Sequence, residues 1–186
     1  MKKSLKTQDI VLAALLTALS VIITFSPFKL PIPQPFSVTL GSHVPTMLAV
    51  FINPVVATLT VLGSCLGFWI STGNPIIVAR AGLHIIFALI GWYMVKKQNI
   101  NIFVAIIVTS LLHAGAEAAI VYVLTPILFT DKAAAVTGLT WTAFIGTLFH
   151  HYVDSAITAP ILYALTRAHL VKDTGIKWKS NKKVSA

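Results

Sequence analysis

Asn74 and Pro75 open a run of some twenty mostly apolar residues that closes on Lys96 and Lys97. At 1.5 Å per residue such a run crosses a hydrocarbon core of about 30 Å, so it reads as a transmembrane helix. It carries a guanidinium in an awkward place. Arg80 stands little more than a turn from the start, and His84 follows at i+4 on the same face, one turn deeper. An arginine at that depth costs a few kcal/mol unless it snorkels, pairs or meets water, so the fold has to offset it.

The rest of the chain agrees with a membrane environment. Hydrophobic side chains make up 56% of its 186 residues and the mean hydropathy is +0.86, far too apolar for a soluble domain. The predicted fold class is all-α: a polytopic membrane protein with one bundle of transmembrane helices. Fourteen basic residues face only five acidic ones, but the basic residues cluster at the ends of apolar spans, where they signal topology and not nucleic acid. The single cysteine, Cys65, excludes an internal disulfide.

Lys2, Lys3 and Lys6 precede the apolar stretch Ile10 to Phe25, a pattern that begins like a secretory signal peptide. No small-x-small cleavage site follows, only Pro27, Phe28 and Lys29, so the stretch reads as a retained first span. Ala14 and Ala18, with Ala13 beside them, give it a small-xxx-small face suited to close helix packing. From Ser26 to Ser42 the prolines Pro27, Pro31, Pro33 and Pro35 forbid a sustained helix, and bare backbone is unstable in lipid. This segment is expected to be an ordered external loop, able to fold back as a lid.

The stretch His43 to Ser71 allows one long tilted helix or two short ones broken at Asn53 and Pro54. Lysine placement favours the break. With it there are six spans with both termini cytoplasmic, and Lys2, Lys3, Lys6, Lys96, Lys97, Arg167, Lys172, Lys177, Lys179, Lys182 and Lys183 all fall inside, against Lys29 and Lys132 outside. Residues 1–8 are then a cytoplasmic N-terminus, 26–42 the external loop and 168–186 a basic cytoplasmic tail around Trp178, all parts of a single integral membrane domain. Gly63-Ser-Cys-Leu-Gly67 is a GxxxG packing motif, and Trp69 approaches the outer interface.

Ionisable groups gather on the last three spans. Arg80 and His84 lie on the fourth, His113 and Glu117 on the fifth (Asn101 to Leu124), and His150, His151 and Asp154 on the sixth (Thr140 to Thr166), with Trp141 near its outer start. Such groups usually face a bundle interior or a watery cavity and mark a substrate or ion path. Arg80 and Glu117, both in the outer halves of antiparallel neighbours, could also form an ion pair of their own.

At this level the chain resembles a family. Ala14-Leu-Leu-Thr-Ala18, Thr39-Leu-Gly-Ser-His43-Val-Pro45, Met47 to Pro54 and Gly63 to Phe68 look like a substrate-binding S subunit of energy-coupling factor vitamin transporters. Ser42-His43-Val44-Pro45 and Val78-Ala-Arg80-Ala-Gly-Leu-His84-Ile-Ile-Phe87 are most similar to its niacin-specific members. The resemblance implies six helices in a multi-pass bacterial cell-membrane protein, with a vitamin pocket near the outer face built by the first loop and helices four to six. It also implies docking through Ala14 and Ala18 to a membrane-spanning coupling subunit, and two ATPase subunits that use the ATP and drive toppling. This chain has no Walker A sequence, so no bound cofactor, catalytic residue or metal ligand is assigned to it on this reading.

Nicotinate is a flat ring with a carboxylate. The carboxylate wants the Arg80 guanidinium, the ring wants Trp69 or Trp141 against its face, and the ring nitrogen wants a donor such as His84 or Asn74. Glu117 and His151 complete the expected substrate-binding set. Pantothenate, also a carboxylate, fits the same arginine. Three rivals follow from the same residues. A metal or proton transporter would use His113, Glu117, His150, His151 and Asp154, but these histidines look scattered over several depths. An intramembrane protease would need Ser64 or Cys65 as nucleophile and His150 or His151 as base. A pure assembly protein would bind no small ligand. The vitamin reading expects an arginine left available beside a void.

Overall fold

A computed structural model describes residues 6–30 and 38–171. Lys2, Lys3, Pro31, Pro33, Pro35, Lys172, Lys177, Trp178, Lys179, Lys182 and Lys183 lie outside the described residues.

Six α-helices appear among the described residues: α1 (Thr7–Ile23), α2 (Val44–Val50), α3 (Pro54–Thr72), α4 (Pro75–Trp92), α5 (Ile102–Leu128) and α6 (Val136–Arg167). A π-helical turn, Tyr93–Lys97, prolongs α4, and a 3-10 turn, Thr130–Ala135, leads into α6. The segments Pro54–Thr72, Pro75–Lys97 and Ile102–Leu128 are each long and apolar enough to cross a membrane. Asn-Pro pairs set two of the helix starts. The Asn53 side chain accepts from Val56 N–H and the Asn74 side chain from Ile76 and Ile77 N–H, each followed by proline at the first helical position, where a missing donor costs nothing. Between them Gly73, at φ 61°, ends α3 in the left-handed conformation that glycine adopts without strain.

Helix α3 packs against α1 and α4, α4 against α5, and α5 against α6. The GxxxG motif of α3 faces α1. A Cβ on Gly63 would stand 2.6 Å from Thr17 Cγ2, and one on Gly67 would stand 2.9 Å from Val21 Cα, so both glycines exist to let the two backbones close. That contact uses Thr17, Ser20, Val21 and Thr24 of α1 and leaves Ala14 and Ala18 exposed, beside a groove shared with Val55 and Leu59 of α3.

The second leg of the bundle departs from the expected helix. Helix α2 has seven residues, about 10 Å of rise, and cannot cross a bilayer alone. All seven are buried, packed on α1, α3, α4 and α6. The leg is completed by the chain before it. After a two-residue antiparallel ladder (Lys29↔Thr39, Leu30↔Val38), Thr39, Ser42 and His43 are buried in the bundle. The end of the segment 26–42 therefore runs into the bundle as non-helical backbone. Bare backbone persists at such a depth only where protein groups satisfy it.

The described ends of the chain meet. Gln8 Nε2 donates to the Leu170 carbonyl, 3.3 Å, and Val171 shares one apolar cluster with Ala13, Leu16 and Val95. The approach to Lys96 and Lys97 thus lies at the same end of the bundle as Gln8 and Val171.

Gly67→Ala should therefore lower the thermal unfolding midpoint of the detergent-purified protein, at a cost of about 1–3 kcal/mol for overpacking against backbone. Gly115→Ala, where an added Cβ meets nothing within 4 Å, should leave it unchanged.

Candidate ligand site at a histidine cluster

Helices α4, α5 and α6 each turn one buried stripe towards the others, its residues spaced three and four apart. Ala81, Ala114, Ala118 and Ala143 on these stripes keep the helices close, and the polar residues between them converge. Arg80 and His84 come from α4, His113 and Glu117 from α5, and Thr147, His150, His151 and Asp154 from α6. His43 enters from the inward-running segment. Its ring centroid lies 4.5 Å from that of His84, 4.7 Å from His113 and 4.4 Å from His150, and His113 and His151 are 5.4 Å apart. The histidines that look scattered in the sequence thus form one buried cluster, because the antiparallel helices bring their different positions to one level.

Glu117 is its hub. One oxygen, Oε2, accepts from Arg80 Nε at 2.9 Å, from Arg80 Nη2 at 2.6 Å and from Thr147 Oγ1 at 2.6 Å. The other, Oε1, stands 3.3 Å from His84 Nε2 and 3.1 Å from His113 Nε2. The expectation of an arginine left available for an incoming anion is corrected here: the guanidinium is engaged by Glu117. Burying a cation without a counter-charge is costly, and a carboxylate from the next helix supplies one.

Asp154 is a second hub. Its carboxylate accepts the backbone N–H of Gly41 at 2.8 Å and of His43 at 3.0 Å, and lies 3.0 Å from both His43 Nδ1 and His150 Nε2. His150 Nε2 also meets the Thr39 carbonyl at 3.0 Å. The backbone that runs into the bundle is thus tied to α6 by one side chain and its neighbour.

Beside Arg80 lies a cavity of about 20 Å³, lined by Ser42, His43, Phe68, Arg80, His84, Glu117 and His150. That is room for one water. A larger apolar cavity of about 270 Å³ lies between α2, α4, α5 and α6, bordered by Met47, Phe87, Gly91, Ile106, Thr109 and His151. His151 stands between the two regions, with Nε2 3.4 Å from Thr109 Oγ1 and Nδ1 3.1 Å from His113 Nδ1.

Of the residues expected to bind substrate, Arg80, His84, Glu117 and His151 come together. Trp69 and Trp141 do not: they are 56% and 61% exposed and line neither cavity. On α3 the residue that turns inward is the neighbouring Phe68. Asn74 caps α4, its oxygen taken by Ile76 and Ile77 N–H. His43, His150 and Thr147 were not expected at the site. Ser42-His43-Val44-Pro45 carried a signal for the first, whereas a threonine on an apolar helix carries none. Neither nucleophile candidate meets a histidine among the described residues: Cys65 Sγ faces the Val78 carbonyl at 3.9 Å, and Ser64 Oγ has no hydrogen-bond partner.

Known proteins place this architecture. The niacin transporter NiaX of Lactococcus lactis subsp. cremoris (strain MG1363) is 32% identical over 174 residues, which cover 89% of this chain and 78% of the transporter. The chain belongs to the NiaX family. A solved S component of a bacterial ECF transporter superposes with a TM-score of 0.67, covering 86% of this chain and 98% of that one at 22% identity, which shows a shared fold. No family model matches the chain.

Asp154→Ala should release the backbone it holds, because two buried N–H groups lose their acceptor at about 1–3 kcal/mol each. Hydrogen–deuterium exchange should then rise at residues 38–43 while α3 stays protected; unchanged exchange there contradicts the assigned anchor.

Proposed function

We propose that this NiaX-family chain is the vitamin-binding subunit of an energy-coupling factor importer and that it captures niacin, as nicotinate, at the outer face. The observation that carries the reading is kinship with a niacin transporter over most of both chains. The buried polar cluster on α4, α5 and α6 supports it, since a small polar ligand needs such groups and, among the described residues, the buried charged and imidazole side chains all lie there.

The protein is a multi-pass component of the bacterial cell membrane, with six legs and both termini in the cytoplasm. Support comes from the contact between Gln8 and Leu170 and from the basic residues at that end. It is not an enzyme. A membrane-spanning coupling subunit docks on the exposed alanines of α1, and two ATPase subunits hydrolyse the ATP that drives release inside. The vitamin carboxylate is recognised by Arg80, which it takes over from Glu117. Glu117 keeps Thr147, His84 and His113, so its displacement from the guanidinium does not strand it. The ring lies against Phe68 and the imidazoles of His43 and His84. A one-water cavity cannot hold this ligand, so residues 38–42 lift when it enters.

Equilibrium dialysis of the purified protein should show saturable nicotinate binding and weaker nicotinamide or pantothenate binding. The double variant Arg80→Gln/Glu117→Gln, which leaves no lone buried charge, should weaken nicotinate by about ten- to a hundred-fold, the worth of a charge-assisted hydrogen bond. Nicotinamide should lose much less; equal losses for acid and amide count against the assignment. Separately, Ala14→Leu/Ala18→Leu should abolish co-purification with the coupling subunit and leave nicotinate binding intact. Retained assembly would remove the docking role from this face.

A further inference from the structure

The cluster holds more imidazole than a carboxylate-binding pocket needs, and its hydrogen-bond pattern fixes where the lone pairs point. Thr109 Oγ1 donates its proton to the Ala105 carbonyl at 2.7 Å, so towards His151 Nε2 it can only accept. His151 therefore carries its proton on Nε2 and turns a bare Nδ1 to His113 Nδ1, 3.1 Å away. His113 supplies the proton of that bond, and a neutral His113 then points an unprotonated Nε2 at Glu117 Oε1, 3.1 Å away. His43 comes in from the other side: its Nδ1 lies 3.0 Å from the Asp154 carboxylate without a hydrogen bond between them, and its Nε2 faces His84 Nε2 at 3.2 Å.

The His43 nitrogen and a carboxylate oxygen thus flank His84 Nε2 at 3.2 and 3.3 Å, and the His113 lone pair meets the same oxygen. With every ring neutral, protons alone settle this badly. A proton on His84 Nε2 is divided between two acceptors and still leaves the His113 lone pair against Glu117. A cation among the four atoms satisfies all of them. The spacing agrees: four atoms about 2.0–2.1 Å from a zinc ion stand about 3.3 Å apart at tetrahedral angles. The three neighbouring pairs here measure 3.2, 3.3 and 3.1 Å, and one donor atom from each of His43, His84, His113 and Glu117 lies within 4.8 Å of all the others.

Part of an outer shell is in place: His151 meets His113, and Arg80 with Thr147 hold the oxygen of Glu117 that faces away, whereas Nδ1 of His43 and of His84 has no hydrogen-bond partner among the described residues. The neighbouring set His43, His150 and Asp154 needs no such ion, because Asp154 already receives two backbone N–H groups and the His150 N–H has two acceptors. Charge points the same way. With neutral rings, Arg80 faces two carboxylates in a low-dielectric interior. A divalent ion turns that net minus one into plus one, which the carboxylate of an incoming acid cancels.

We infer that His43, His84, His113 and Glu117 bind one divalent transition-metal ion, and that this ion takes the ring nitrogen of the bound vitamin as a further ligand. The donor set of imidazole and carboxylate suits zinc and its late first-row neighbours. The vitamin clause rests on the niacin reading above; the metal site does not.

Tag-free protein stripped with a chelator and titrated with Zn²⁺ alone should bind one equivalent by elemental analysis. Co²⁺ in its place should give the intense visible ligand-field bands of a tetrahedral nitrogen-rich site. His113→Ala should weaken Zn²⁺ by more than about a hundred-fold, since even outer-shell changes cost 10- to 100-fold. His169→Ala, which removes an exposed histidine outside the cluster, should not. Elution volume on size exclusion reports whether each variant is folded. Nicotinate affinity should fall at least tenfold on stripping and return with Zn²⁺. Stripped protein that binds nicotinate undiminished, with no stoichiometric metal, overturns the inference and leaves the niacin reading standing; protons then fill the role. One equivalent of metal with no nicotinate binding in either form upholds the site and overturns the niacin reading.

Discussion

The carboxylate of Glu117 is the constraint on which the packing of α4, α5 and α6 depends. Its two oxygens reach Arg80 and His84 on α4, His113 on its own helix and Thr147 on α6, so one side chain ties three helices together. In lipid, apolar contact between helices gains little over contact with acyl chains, and buried polar groups acquire corresponding weight in fixing which faces meet. Removing either partner of the Arg80–Glu117 pair leaves a bare charge, which typically costs 3–5 kcal/mol, so the two must change together. The same carboxylate ends in the polar cluster where a ligand would arrive, so fold and site share one group.

Asp154 plays the complementary part. A short α2 cannot carry the chain across the membrane, and the non-helical residues before it survive inside the bundle because Asp154 and His150 accept or meet their backbone groups. His43 belongs to both hubs: its backbone is tied to Asp154, and its ring contacts His84 and His113. A movement of this segment would therefore change the packing and the electrostatics of the cluster at once.

Much of this was legible in the sequence. The Asn53-Pro54 break follows from proline and capping chemistry, the GxxxG face of α3 from the need for close backbones, and the likelihood of an Arg80–Glu117 contact from matched depths on antiparallel neighbours. The inward run of residues 38–43 was not legible, because proline-rich chain signals only the absence of helix and not which side of the surface it takes. The histidine convergence was hidden for a related reason. His84, His113 and His150 sit at different distances from their helix starts, and only the stagger between helices, set by packing, brings them level. Trp69 and Trp141 misled because an aromatic residue near an interface serves a lipid boundary as readily as a pocket wall. On the inner side of α3 the bundle uses Phe68.

The central claim is that a niacin-type acid is read by the polar cluster on α4, α5 and α6. A structure of the purified protein saturated with nicotinate tests it most directly. The account predicts the ring beside Phe68, its carboxylate on Arg80, and residues 38–42 displaced from their present seat. A ring lodged instead in the apolar cavity beside Phe87, Gly91 and Ile106, with the Arg80–Glu117 pair intact, would contradict it.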